Sequence, residues 1–383
     1  MRIALIVPGG VDESAEFRVI PVFLWLIERL VRSNEVHVFA LDQYPDRRDY
    51  PLLGATVHNL GSFGSTGIKR FWRRLCALRS GFAEFGPFDV AHALFAAPGG
   101  TLAALAAGAA RVPLIVTLAG GELTTIPGIR YGAQASWRAR LGVALALRRA
   151  DRITCATQFM RRLARGKCPD PLLIPLGVDG KAFGEAVRSG GRDAGPPYRL
   201  LSVGTINRVK NHAMLLRAFR RVLDDEPEAR LDIVGEDTLG GDIQRLAGAL
   251  QVSASVVFHG FLPSSALVPL YRRAHLLVHT SWHEAGQIVA LEAAMTGLPC
   301  IGTPVGYVDD WHSAAGLTVA HDDDAGLARG ILGLLRDPAG RLELGRAAQA
   351  FAQHHDADFT ARAFMALYSE VSPAAARASG TQA

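Results

Sequence analysis

The chain has 383 residues, a formal net charge of +5 and four cysteines, and 49% of it is apolar. That length suggests two domains, the apolar share allows a large core, and no uninterrupted apolar stretch is long enough for a transmembrane helix. Cys76, Cys155, Cys168 and Cys300 show no CxxC spacing, so neither a disulfide frame nor a zinc site is indicated, and Met1 runs into strand-like RIALIVP without signal-peptide anatomy, which suggests a cytoplasmic protein.

Residues 2–8 are continuously apolar and predict a buried parallel strand. Gly9-Gly10 follows, then a polar loop, a helix over 21–32 and a strand over 36–41. Strand, glycine turn, helix and strand open a doubly wound α/β domain. The glycine pair serves either a tight turn or a close backbone approach, and the lack of GxGxxG argues against a dinucleotide-binding dehydrogenase. Residues 61–67 form a glycine- and serine-rich loop that is not a P-loop, because no Gly-Lys-Ser/Thr closes it. Residues 68–82, IKRFWRRLCALRSGF, are basic and amphipathic. They suit a surface helix, or a face lying on anionic lipid with Phe71 and Trp72 at the headgroup boundary. Charge favours some negative partner for this half: residues 1–190 hold 24 Lys and Arg against 15 Asp and Glu, leaving 17 against 21 for the rest. No nucleic-acid-binding motif accompanies the excess, so no nucleic acid is expected.

Residues 88–93 read as a strand carrying His92, either a satisfied core histidine or a functional one. Pro98-Gly99-Gly100 turns into an alanine-rich helix, and 114–118 is another buried strand, followed by Gly120-Gly121-Glu122. An arginine-rich helix over 138–149 and short strands over 152–156 and 172–175 complete the half. Residues 188–197, rich in Gly, Pro, Asp and Ser, are the linker candidate.

Beyond the linker, a strand over 200–203 leads into a loop carrying Arg208 and Lys210, two cations suited to a diphosphate or simply to solvent. Strands over 230–234 and 255–259 end in Gly235-Glu236 and Gly260-Phe261-Leu262-Pro263, and 264–273 reads as a short helix. The strand over 275–281 breaks at Trp282-His283-Glu284. A helix over 287–296 stops at Gly297, and a strand over 299–303 follows. Such a turn gathers unpaired N–H groups and partial positive charge, which suits an anion. Glu284 lies in that turn and Glu292 inside an otherwise apolar helix, where a carboxylate needs a cap, an arginine or a ligand. After a last strand over 316–319, Asp322–Asp324 reads as the acidic first turn of a helix rather than a metal cluster. Asp356-Ala357-Asp358 reads as surface, 359–371 as a terminal helix, and 373–383 as a disordered tail.

The spacing Glu284, seven residues, Glu292, followed by AAMTGLPCIGTPVG, resembles the donor-site signature of glycosyltransferase family 4. That resemblance implies a GT-B fold: two Rossmann-like doubly wound domains facing a central cleft, with a last helix crossing back to the first. With the compositional linker at 188–197, the expected domains are 1–187 and 198–355, and the resemblance implies that 356–372 crosses back to the first. It also implies transfer of a sugar from a nucleotide-sugar, UDP-linked by preference, with retention and without a metal. Glu292 would hold a ribose hydroxyl and Glu284 the sugar, with Gly286, Gln287 and Ile288 lining the sugar and phosphates. Gly204, Gly260 and Phe261 would complete the donor side, while Arg208 and Lys210 neutralise the diphosphate. Gly9, Gly10, Gly121, Glu122 and a catalytic His92 would face a glycan, lipid-linked or small-molecule acceptor. The lipid case allows a peripheral position on the inner face of an anionic membrane through 68–82. Four departures stand out: Ala285-Gly286-Gln287 for Gly-Phe-Gly, Ala119 for a histidine, Leu176 for an asparagine and Thr205 for an arginine. A nucleotide-sugar 2-epimerase and a non-catalytic nucleotide-sugar-binding protein stay open as alternatives.

Overall fold

The computed structural model describes residues 1–61, 64, 66–184 and 195–372. The expected linker up to residue 194, the expected tail, and residues 62, 63 and 65 of the glycine-rich loop lie outside them. The chain forms two compact units, Met1–Leu176 with Ala357–Ala383, and Gly177–Asp356. The chain leaves the first unit at Leu176 and not at 187, because Phe183 is buried with its ring edge-on to Tyr271 of the second unit.

Unit 1 is built on eight strands: β1 (Arg2–Val7), β2 (Glu35–Ala40), β3 (Arg48–Leu52), β4 (Ala55–Asn59), β5 (Val90–Leu94), β6 (Leu114–Leu118), β7 (Arg152–Cys155) and β8 (Leu172–Leu173). Their order is β3-β4-β2-β1-β5-β6-β7-β8, parallel throughout except for the β3–β4 hairpin. β1, β5 and β6 are buried nearly end to end, as central strands of a parallel sheet covered on both faces must be. The connecting helices are α1 (Pro21–Leu30), α2 (Gly67–Phe85), α3 (Thr101–Ala110), α4 (Trp137–Arg149) and α5 (Gln158–Ala164).

Unit 2 continues with α6 (Gly180–Gly184), β9 (Arg199–Val203), α7 (His212–Asp225), β10 (Arg230–Val234), α8 (Asp242–Ala249) and β11 (Val256–Phe258). Next come α9 (Ser264–Arg273), β12 (Leu276–His279), α10 (Ile288–Met295), β13 (Cys300–Gly302), α11 (Gly306–Asp310), β14 (Gly316–Thr318), α12 (Asp324–Arg336) and α13 (Pro338–His354). The six strands are all parallel, in the order β11-β10-β9-β12-β13-β14. α7 shows why the sequence folds this way: Met214, Leu215, Ala218, Phe219 and Val222 recur at helical spacing and are all buried. The order reverses between β9 and β12, the topological switch point where open α/β sheets bind ligands.

The last helix, α14 (Ala357–Val371), belongs to unit 1. It is pinned by Arg29 to Asp358 at 2.9 Å, by the Thr360 hydroxyl donating to the Pro175 carbonyl at 2.6 Å, and by Tyr368. The acidic triplet caps a helix as the sequence suggests, since Asp323 accepts from the Gly326 N–H and Asp324 pairs with Arg217 and Arg221.

Candidate donor site at the switch point of unit 2

The loops leaving β9, β10, β11 and β12 are sewn together at the C-terminal edge of the sheet. Gly204 donates to the Val234 carbonyl and Gly235 to the Gly260 carbonyl, each at 2.8 Å. A Cβ on Gly235 would lie 2.1 Å from the Gly204 carbonyl oxygen, so this approach requires glycine. Trp282 donates to the Val209 carbonyl, and the Thr280 hydroxyl lies 2.9 and 3.1 Å from the carbonyls of Lys210 and Asn211. This stitching fixes the β9–α7 loop against the β12–α10 loop.

Across that seam Lys210 Nζ lies 2.5 Å from Glu284 Oε1. His279 Nε2 lies 3.0 Å and Ser281 Oγ 2.6 Å from the same oxygen. Oε2 of Glu284 takes no hydrogen bond among the described residues. Burial pushes the Glu284 carboxyl up, but the Lys210 ammonium and the His279 ring outweigh it and hold the group well below the usual carboxylate range. Burial keeps His279 below its ordinary value, although Glu284 pulls the other way. The arrangement is a fixed anion with one saturated and one open oxygen, suited to accept from a hydroxyl.

Glu292 is buried in α10, 3% exposed, and its Oε2 accepts from the Tyr271 hydroxyl at 2.7 Å. Burial drives this carboxyl up to about 7, with Tyr271 opposing it. Its partner is a tyrosine and neither a backbone cap nor an arginine, and Oε1 takes no hydrogen bond among the described residues. Gln287 caps α10 in the left-handed region at φ 41°. Its Oε1 accepts from the Val308 N–H at 3.1 Å, and its buried Nε2 has no partner among the described residues. A Cβ on Gly306 would meet both Gln287 Oε1 at 3.0 Å and Glu284 Cβ at 3.2 Å, so glycine at φ 54° lets α11 close against the site. Gly286 and Ile288 flank Gln287 and are half-buried, and Ile288 opens α10, at the end of a helix where N–H groups lack intrahelical acceptors. Arg208 is exposed, and its side chain has no hydrogen bond or ion pair among the described residues. Phe261 is 48% exposed beside Gly260, which sits at φ 66°.

In unit 1 the expectations fare differently. His92 is fully buried: Nδ1 lies 2.7 Å from the Tyr368 hydroxyl and Nε2 2.7 Å from the Thr117 hydroxyl, which lies 2.6 Å from that of Thr154. Burial lowers its pKa to about 3. The catalytic role expected for His92 is thereby corrected: both ring nitrogens are committed inside the core, where they dock α14. Glu122 is buried as well, accepting from the N–H groups of Gly120, Ala96 and Ala119 at 2.7, 3.1 and 3.3 Å. It ties the β6 loop to the β5 loop rather than presenting a carboxylate to an acceptor. At Gly10 the N–H donates to Gln43 Oε1 at 2.7 Å, and a Cβ would collide with Ile20 at 2.5 Å, so this glycine serves the turn. Gly9 precedes it, with Gln43 and the Asp42 carbonyl in ordinary contact distance of a Cβ. Gly121 packs against the Tyr131 ring, which would lie 2.8 Å from an added Cβ. Asp358 of the DxD string is turned to Arg29. Sequence reading missed His279 and Ser281; the polar residues breaking an apolar strand were the available signal.

Two family models match the chain: "Glycosyl transferase 4-like domain" over residues 19–177 and "Glycosyl transferases group 1" over residues 197–337. A D-inositol 3-phosphate glycosyltransferase of Acidothermus cellulolyticus is 30% identical over 94% of this chain and 87% of its own. Several other relatives of that name match with about half of their own length. Among solved structures, sucrose-phosphate synthase from Thermosynechococcus elongatus superposes with a TM-score of 0.80 at 20% identity, covering 97% of this chain and 99% of that one. Anabaena HepE, solved in complex with UDP-glucose, superposes with a TM-score of 0.73 at 18% identity, covering 97% and 100%. These likenesses give the two Rossmann-like units the GT-B fold.

Proposed function

We propose that this chain, which belongs to glycosyltransferase family 4, moves a glycosyl group from a nucleotide-diphosphate sugar to a glycan, lipid-linked or small-molecule acceptor, with retention of configuration. The observation that carries this reading is the Lys210–Glu284 pair at the β9/β12 switch point, with Glu292 buried further along α10. The diphosphate lies against Lys210, Arg208 and the first N–H groups of α10, where leaving-group charge gathers in the transition state. Glu284 Oε2 takes a sugar hydroxyl, and Glu292 Oε1 takes a ribose hydroxyl beside Tyr271. Gly286, Gln287 and Ile288 line the sugar and phosphates, while Gly204, Gly260 and Phe261 border the base. The relatives' names support glycosyl transfer, and HepE's complex with UDP-glucose supports a uridine nucleotide. No metal is required when ammonium, guanidinium and helix amides share the phosphate charge.

A lipid-linked acceptor draws support from α2. Ile68 and Trp72 are 66% and 56% exposed on a face that also shows Lys69, Arg73 and Arg79 to solvent, as on a helix that lies on an anionic bilayer. No helix among the described residues is long and apolar enough to cross one.

Incubating the protein with UDP-, GDP- and ADP-glucose, with and without glycan and lipid acceptors, tests the reading. It predicts acceptor-dependent release of one nucleoside diphosphate and an axial-to-axial product by NMR. An inverted anomer contradicts retention. A 2-epimer formed without acceptor identifies an epimerase, and binding without turnover identifies a sensor.

A further inference from the structure

Three donors converge on one oxygen of Glu284, and one of them has another task on the reading above. An ammonium that neutralises a diphosphate shares its protons between that ligand and Glu284. The carboxylate must then be held by something else, or it turns with the lysine. His279 is placed to do this. It ends β12, is 3% exposed, and reaches Glu284 Oε1 at 3.0 Å and Ser281 Oγ at 2.8 Å through the same Nε2. In the tautomer with Nε2 protonated, that single N–H is shared between Glu284 Oε1 and Ser281 Oγ, and the Ser281 hydroxyl donates its own proton to Glu284 at 2.6 Å. The charged and titratable groups around it are Glu284 in its own loop, Lys210 in the β9–α7 loop, and His212 at the start of α7. His212 is 2% exposed, its Nδ1 has no partner among the described residues, and burial lowers it to about 3, so α7 brings no second charge to the ring. Burial lowers both histidines from their ordinary value, which disfavours the charged ring, although Glu284 pulls His279 the other way.

We infer that His279 is a positioning residue for donor binding: with Ser281 it pins Glu284 Oε1 independently of Lys210, so that Oε2 stays aimed at a sugar hydroxyl when the lysine turns to the diphosphate. This rests on the assignment of a nucleotide-sugar to this site. It assigns the sugar half of the donor, and not the nucleotide half, to the His279–Ser281–Glu284 cluster. It also makes the ligand a sugar with a free hydroxyl at the position Glu284 meets, rather than one deoxygenated there.

The test uses the full chain and calorimetric titration of UDP-, GDP- and ADP-glucose and of the three free diphosphates, from pH 4.5 to 8, for the parent, His279→Leu and His279→Gln. The parent binds one glucose nucleotide, and because Glu292 titrates at about 7 beside the ribose, its affinities for that nucleotide and for the matching free diphosphate change in parallel across the range. His279→Leu binds the matching free diphosphate within twofold of the parent but the glucose nucleotide about tenfold more weakly. Its glucose-nucleotide affinity also falls more steeply than its diphosphate affinity toward pH 4.5, because Glu284 has lost a donor that favours its ionised form. His279→Gln, whose amide can reach Glu284 from a similar position, restores most of both. A His279→Leu variant that matches the parent at every pH overturns the inference. So does one that loses diphosphate and glucose nucleotide equally, or whose defect Gln leaves untouched. A parent that binds no nucleotide at all overturns instead the donor-site assignment on which the inference stands.

Discussion

Glu292 carries the plainest pH signature of any single residue. Its folded pKa, raised from 4.5 to about 7, lies above the unfolded one, so between those values the folded chain keeps a proton that the unfolded chain has released. The stability this group contributes is present below pH 4.5 and is lost as pH rises through 7. The loss is on the order of 3 kcal/mol. Glu292→Gln, still able to accept from Tyr271, removes that slope, and denaturation at pH 5 and pH 8 checks it: the variant's stability changes less between the two than the parent's. The two glutamates were legible from their spacing and from a charge inside an apolar helix. The roles of His92 and His279 were not. Each is one polar residue in a run of strand character, and only the fold decides whether its ring meets Tyr368 in a core or Glu284 at a sheet edge. Glu122 misled for a related reason, since a carboxylate after a glycine pair binds either a ligand or the pair's own N–H groups, and here it binds the latter.

Among the elements, α14 shows what the histidine in β5 is for. The line from Tyr368 through His92 and Thr117 to Thr154 crosses β5, β6 and β7 beneath the helix. His92→Phe leaves two hydroxyls buried without that partner and is expected to cost about 2–4 kcal/mol in urea denaturation. Turnover should change less than twofold; a large loss with unchanged stability would restore the catalytic role. For α2, replacing Ile68 and Trp72 by serine should lower binding to vesicles containing phosphatidylglycerol about tenfold, the scale set by removing two large apolar side chains from an interface. Unchanged co-sedimentation would make α2 an ordinary surface helix. Helices and central strands announced themselves through long periodic or continuously apolar runs. The β3–β4 hairpin did not: its two-residue turn has positive φ at both Leu53 and Gly54, and leucine hides a turn that asparagine would have advertised. Pro51 in β3 is likewise tolerated because β3 is an edge strand.

At the scale of the whole molecule, two doubly wound units divide the work unevenly. The second holds the conjunction of cation, fixed carboxylate and helix N-terminus at a sheet switch point. The first holds the basic excess and an exposed amphipathic helix. The domain pattern was readable because each unit repeats the alternation of apolar strand and amphipathic helix. The crossing at Leu176 was not, because Gly, Pro and Ser mark a breaker-rich composition and not the last residue that packs. The central claim is that unit 2 binds a nucleotide-diphosphate sugar between Lys210 and Glu292. Calorimetric titration of UDP-, GDP- and ADP-glucose into the parent, Lys210→Ala, Glu292→Ala and His92→Phe tests it most directly. The account predicts one-to-one binding of one of the three nucleotides, about tenfold weaker in the first two variants and unchanged in His92→Phe; no binding by the parent, or equal binding by all four proteins, would contradict it.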